Sequence, residues 1–341
     1  MTMSVRSALA KLHNRDVRQR RRAIRHLFEM NDPEALSGFI KLLEDNDPWF
    51  REKAKEAVIR WAGSKDLDLF QMLAESEEKE QRLLAARVAN RANRSGMEIL
   101  SHLSEDEEGI VRLAAWESKM SFEPSFINIA LDSQDKAVRK AAAHRMASRD
   151  EVPLELLKKV LNDESESVRS SGISLLYTQP EHLDSGHLDE DLLRFVDQSD
   201  YSTKSRVAGL FVKRALVSKE ISEIVIEFTR EQHPEFITHF SKELRDSDWS
   251  LIEGMEASLT TIASDNLCVR VIRGDRSLAA TRVRNSILEN EEKNIDLRAR
   301  IIEDLIGRPV VESTLSIISK LQHSDDEVLS NAAINLMEEI S

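Results

Sequence analysis

A single cysteine, Cys268, in 341 residues excludes an intramolecular disulfide framework. It fits a reducing compartment, so a cytoplasmic location is expected. No apolar run approaches the roughly 20 residues that a spanning helix needs, and no membrane partner is expected. Glycine-rich phosphate loops, nucleophile elbows and His-Glu-x-x-His helices are all missing. The chain has only seven prolines and ten glycines, and its aromatic content is 5%. With 41% hydrophobic and 32% charged residues, the remaining composition is that of a helical protein. The net charge of −13 argues against a general nucleic-acid coat protein, although local charge can differ from the total.

What the chain does have is a repeat. An acidic residue, an arginine four residues later and a small residue three beyond that recur together. They stand at Asp16/Arg20/Ala23, Asp47/Arg51/Ala54, Glu78/Arg82/Ala85, Glu108/Arg112/Ala115 and Asp135/Arg139/Ala142. Weaker copies, with serine first, follow at Ser165/Arg169/Gly172 and Ser202/Arg206/Gly209. The arginines are spaced by 31, 31, 30, 27, 30 and 37 residues, a period that marks an array of stacked units. Such an array grows by stacking and does not enlarge one core, so the length does not imply two globular domains.

Each unit reads as two helices. Residues 4–13, 34–44, 66–74, 96–103, 124–131 and 153–161 predict first (outer) helices, and the triplets open second (inner) ones. Prolines fall in gaps or first turns, where helices accept them. The acidic residue is expected at the N-cap of the inner helix. The arginine is expected to reach a carboxylate of the neighbouring unit, and the small residue to let adjacent helices approach closely. Residues 1–26 hold eight Lys/Arg against one acid, Asp16, which is also how a transit peptide reads. Because Asp16, Arg20 and Ala23 are in register with the repeat, these residues are taken as part of the array.

The segments Glu108-Gly-Ile-Val-Arg-Leu-Ala-Ala and Asp135-Lys-Ala-Val-Arg-Lys-Ala-Ala resemble the core of HEAT repeats. The resemblance is to the short HEAT-like type found in phycobilisome lyases. It implies an all-α, right-handed α-solenoid with the Val-Arg helices lining its concave face, and a fold that mainly serves as a binding surface. About eleven helix pairs are expected, regular over residues 1–180 and divergent over 181–341, with a C-terminal cap continuous with the first part. In the divergent half, Ile237, Cys268, Arg298 and Leu329 keep the spacing of the ladder arginines.

Enzymes of related architecture depend on residues that can be sought here. Deoxyhypusine hydroxylases bind iron through His-Glu dipeptides, and none of the nine histidines here precedes Glu. Nothing in the sequence points to a bilin. HEAT-like DNA glycosylases use tryptophans with an acid, which Trp49, Trp61 and Trp116-Glu117 imitate without a fixing motif. His182-x-Asp184-x-x-His187-x-Asp189 has metal-like composition, but its spacing matches no zinc pattern and a solvated acidic loop is the simpler reading. Neither a catalytic residue nor a cofactor or metal is therefore assigned.

Charge on the inner helices is the sharper signal. Offsets of five and nine from each ladder arginine should face the concavity, while offsets of three and seven enter the core. Five arginines fall within residues 18–25 with no internal acid, a cluster that repels itself unless an anion uses it. The expected binding residues are Arg18, Arg21, Arg22, Arg25, Arg60, Arg87 and Arg91, with Trp49 and Trp61 as apolar anchors. A protein partner with an acidic segment is the first expectation. Nucleic acid, or a repair enzyme acting on it, is the alternative, because phosphate binding needs only spaced charge.

Overall fold

The structure is a computed structural model describing residues 4–149, 151–183, 186–196, 199–216 and 218–340. Among these residues every regular element is helical. The chain forms two compact units, residues 1–156 and 157–341.

In the first unit the helices alternate between two layers. One layer holds α1 (Val5–Lys11), α3 (Leu36–Phe39), α5 (Leu67–Ala74), α7 (Asn93–Leu103) and α9 (Phe126–Ala130). The other holds α2 (Val17–Met30), α4 (Pro48–Trp61), α6 (Lys79–Val88), α8 (Gly109–Phe122) and α10 (Lys136–Met146). Each even helix packs on the odd one before it, and α4, α6, α8 and α10 stack in sequence. The second odd segment is broken: a 3-10 turn, Pro33–Ala35, precedes α3 and another, Ile40–Glu44, follows it. Gly38 explains part of this close packing, since a Cβ there would lie 2.4 Å from Leu9 Cδ2.

The expected division of labour along the even helices holds at the caps and in the core. Asp16, Asp47 and Asp135 sit at N-caps and accept the N–H two residues on, from Arg18, Trp49 and Ala137. Glu78 and Glu108 occupy the same position without a side-chain bond to the helix; their extra methylene carries the carboxylate past the N–H groups. Ala23, Ala54, Ala85, Ala115 and Ala142 are buried, as are Leu27, Val58, Ala89 and Met146 four residues later. Lys119 occupies the equivalent core position of α8 and is also buried.

The second unit continues the alternation after α11 (Leu154–Leu161). Its even helices are α12 (Glu166–Thr178), α14 (Tyr201–Ala215), α16 (Pro234–Asp246), α18 (Asp265–Ile272), α20 (Ile295–Glu303) and α22 (Glu327–Ile340). They stack in sequence, as do α15 (Lys219–Phe228), α17 (Met255–Thr261), α19 (Leu278–Glu289) and α21 (Glu312–Leu321). α13 (Asp189–Val196) packs on α14. The small residue of the triplet becomes glycine where neighbours are larger. A Cβ on Gly209 would meet Tyr177 Oη at 2.5 Å, and one on Gly172 would meet Val160 Cγ1 at 2.9 Å. The ladder arginine gives way to buried Ile237, Cys268 and Leu329, and burial pushes the Cys268 thiol up to about 12. Arg298 is retained but turns inward, giving Nε and Nη2 to the Leu288 carbonyl at 3.2 and 2.8 Å.

Candidate functional site

The arginine ladder is built from two sets of bonds, only one of which the triplet foretold. Arg51, Arg82, Arg112, Arg139 and Arg169 each donate Nη1 to the carbonyls six and five residues before them, in the turn that precedes their own helix. Carboxylates of the following repeat complete the coordination in some cases. Arg20 pairs with Asp45, Arg82 with Asp106 and Arg112 with Asp135 at 2.9 Å. Asp45 and Asp106 lie two residues before the triplet acid, at a position the repeat pattern did not single out. Among the described residues Arg51 makes no such second bond, and Ser76 stands where the carboxylate would be. Arg20, Arg82 and Arg112 thus hold neighbouring repeats together, while Arg51 and Arg169 brace the turn before their own helix; all five are committed within the protein.

Once they are set aside, the exposed face of α2, α4, α6, α8 and α10 has a simple layout. At offset five, Arg25, Glu56, Arg87, Glu117 and His144 are all exposed; at offset nine, so are Glu29, Arg60, Arg91, Ser121 and Ser148. Between α8 and α10 the face opens into a cleft. Its floor is Leu113, Ala137 and Ala141, and its rim is Glu117, Lys140, His144 and Arg145. Half-buried Leu83 and exposed Ile110 extend apolar surface along the same rows of α6 and α8. This apolar floor escaped the sequence reading, which followed charge alone; small and aliphatic residues at offsets of minus two, one and two were the available signal.

The expected binding residues separate into three groups. Arg18, Arg22, Arg25 and Arg87 are exposed and make no ion pair among the described residues. Arg21 is tied down: its Nη2 bonds Asp47 Oδ2 at 3.1 Å and its guanidinium lies 5.0 Å from the half-buried Trp49 ring. The Trp49 N–H, with burial opposing and Arg21 adding to it, holds the Asp47 carboxyl below the usual range. Arg60 remains exposed, with its guanidinium 5.7 Å from the Phe28 ring.

Two expectations need correction. Trp61 is not a surface anchor: it is buried, stacks on Phe28 at 4.9 Å, meets Phe39 edge-on and donates Nε1–H to Asn31 Oδ1 at 3.0 Å. An aromatic ring at the end of an amphipathic helix finds more apolar contact between repeats than in solvent. Arg91 is exposed but committed, its Nη1 capping the C-terminal end of α4 through the carbonyls of Ile59 (2.6 Å) and Ala62 (3.0 Å).

The other constellations do not assemble into chemistry. Trp116 holds the Lys119 ammonium 4.3 Å from its ring. Asp184 lies outside the described residues, and Asp189 is paired with Arg214. Among the described residues no group of three His, Cys, Asp or Glu side chains is placed to hold a metal ion. No described helix is long and apolar enough to cross a membrane.

A family model described as HEAT repeats matches residues 5–88. The likeness to HEAT repeats is thus carried by the first quarter of the chain. The crystal structure of Kap121p matches with a TM-score of 0.56 at 14% identity, over 98% of this chain and 45% of that one. The chain therefore spans less than half the length of Kap121p, and the likeness shows the fold, an α-solenoid. An engineered protein matches at 16% identity and a TM-score of 0.38, covering 98% of both chains. Human deoxyhypusine hydroxylase in complex with glycerol matches at 13% identity and a TM-score of 0.33, over 98% of this chain and 95% of that one. No sequence among the curated proteins matches.

Proposed function

We propose that the first unit is a protein-binding scaffold working in the cytoplasm, and that its even-helix face takes an amphipathic segment with acidic residues. The observation carrying this reading is the pairing of two surfaces on one face. Arg18, Arg22, Arg25 and Arg87 lack neutralising carboxylates among the described residues, and the α8/α10 cleft offers an apolar floor with two cations, Lys140 and Arg145, against one carboxylate, Glu117, on its rim. Charge of this kind guides encounter and register, while apolar contact supplies the larger share of affinity. Trp49, held beside Arg21, is the aromatic anchor of the face. Nucleic acid has less to use here, because Trp61 is buried and base stacking is left to Trp49 and the half-buried Trp116.

The test compares a labelled peptide, with central leucines flanked by glutamates, against single-stranded and duplex nucleic acid across a salt series. Peptide binding that drops at least about tenfold in Arg18/Arg22/Arg25→Glu supports the scaffold. Nucleic-acid binding that persists near about 0.15 M salt and vanishes in the same variant, with the peptide inert, overturns it in favour of a phosphate-backbone binder.

A further inference from the structure

The second unit holds an arginine cluster that lies outside the ladder. Arg270 lies on α18 and Arg273 just after it; Arg300 lies on α20 and Arg308 in the turn beyond. All four line one open cavity, together with the carboxylates Glu303 and Asp304.

Asp304 organises two of these arginines. Its Oδ1 is ion-paired with Arg273, 3.2 Å from Nε, and accepts a hydrogen bond from Arg308 Nη2 at 3.2 Å. Its Oδ2 accepts the Gly274 N–H at 3.3 Å. Gly274 has φ of +70° and is crowded by Arg308, whose Nη1 would lie 2.7 Å from a Cβ there. A single carboxylate thus fixes two guanidinium groups and can neutralise one of them.

The other two arginines have even less counter-charge. Arg300 gives Nη1 to the neutral amide oxygen of Asn266 at 3.0 Å. Arg270 is exposed and makes no ion pair among the described residues. Against the four cations stand two carboxylates and two helix C-termini, each worth about half a negative charge. A positive surplus of about one charge is left, inside a chain of net charge −13. Arginine's planar fork matches the oxygens of a phosphoryl group better than it matches chloride or water.

We propose that this cavity binds a phosphoryl oxyanion, with Arg270 and Arg300 as direct contacts and Asp304 holding Arg273 and Arg308 in place. The group's source is either a free phosphate compound or a phosphorylated side chain of a partner. The site uses no residue of the first unit and stands apart from the scaffold reading.

Calorimetric titration of the full chain with sodium pyrophosphate, and with a phosphoserine-containing glycine peptide, tests this at about 0.15 M salt. The unphosphorylated peptide is the blank. Saturable binding of either phosphate probe that weakens at least about tenfold in Arg270→Ser/Arg300→Ser, but not in Arg18→Ser/Arg22→Ser, supports the site. Binding of the peptide alone assigns the source to a protein, and binding of pyrophosphate assigns it to a free compound. Arg300→Gln, which leaves the Asp304 cluster intact, replaces the double variant should that fail to fold. No binding by either probe, or equal weakening by the two Ser variants, overturns the proposal.

Discussion

Asp106 takes Nε and Nη2 of Arg82 at 2.7 and 3.2 Å while the third nitrogen of Arg82 holds the carbonyls of Ser76 and Glu77. One side chain thereby joins the turn before α6 to the turn before α8, with both partners largely shielded from water. Among the described residues Arg51 bonds only within its own turn. Asp106→Asn is therefore expected to cost about 2–3 kcal/mol, because it leaves a shielded guanidinium without its counter-charge. Arg51→Lys is expected to cost about 1 kcal/mol, the scale of ordinary hydrogen bonds. Urea denaturation of the two variants measures the difference, and equal losses would remove the inter-repeat pair as the stronger link.

The same carboxylates set the acid limit of the fold. Burial raises the Asp106 pKa, but its bonds to Arg82 and to the Glu108 N–H outweigh this and hold it below the usual range. Asp135 follows the same pattern: burial is opposed by the Ala137 N–H and Arg112. A folded pKa below the unfolded value of about 4 means stability that is fully present above that value and lost as pH falls through the folded one. The melting temperature should be nearly level from neutral pH to about 5 and decline below about 4. Asp106→Asn should start lower and decline less steeply. A variant that declines as steeply as the parent would show that other groups control acid unfolding.

Trp49 and Trp61, twelve residues apart on α4, should separate binding from stability. Trp61→Ala removes the stack on Phe28 and the edge contact with Phe39 and strands Asn31, for an expected loss of about 3–5 kcal/mol. Trp49 is half-buried beside Arg21, and Trp49→Ala should cost no more than about 1–2 kcal/mol while weakening the acidic peptide of the scaffold assay. Thermal melts and anisotropy on both variants check this. A large melting shift in Trp49→Ala with unchanged peptide binding would move that side chain into the core.

The repeat could be read directly because three physical requirements recur at fixed spacing: a capping oxygen, a charged link and a small contact residue. Alternating helices, buried Ala85 and Ala115, and capping by Asp16, Asp47 and Asp135 all followed from it. The acceptors Asp45 and Asp106 did not, since each belongs to the following repeat and its pairing depends on how turns are juxtaposed in space. Trp61 and Arg91 misled for a related reason: helical offset gives the direction of a side chain but not what the next repeat places in front of it. The apolar cleft of Leu113, Ala137 and Ala141 was hidden because its residues are small and individually ordinary. Beyond Arg206 the ladder arginine survives only as Arg298 and is otherwise replaced by Ile237, Cys268 and Leu329, which preserve the spacing while erasing the chemical signature.

Lys119 is the exception that tests this register most sharply. It fills the core position that Leu27, Val58 and Met146 fill on other even helices, with its ammonium 4.3 Å from the Trp116 ring, 5.1 Å from the Phe126 ring and 3.4 Å from Ser104 Oγ. Burial lowers its pKa, with Glu105 opposing. A base with a depressed folded pKa loses stability as pH falls through that value and regains it above the unfolded pKa of about 10.4. Lys119→Met keeps the volume and removes the desolvated charge, at the loss of cation–π contacts worth about 1–2 kcal/mol. The net effect expected is a gain of about 1 kcal/mol at neutral pH, shrinking as pH rises toward 10 because the parent lysine is then increasingly neutral. Denaturation at pH 7 and pH 10 reads both quantities. A destabilised variant at neutral pH would mean that the two aromatic rings stabilise the ammonium by more than its burial costs.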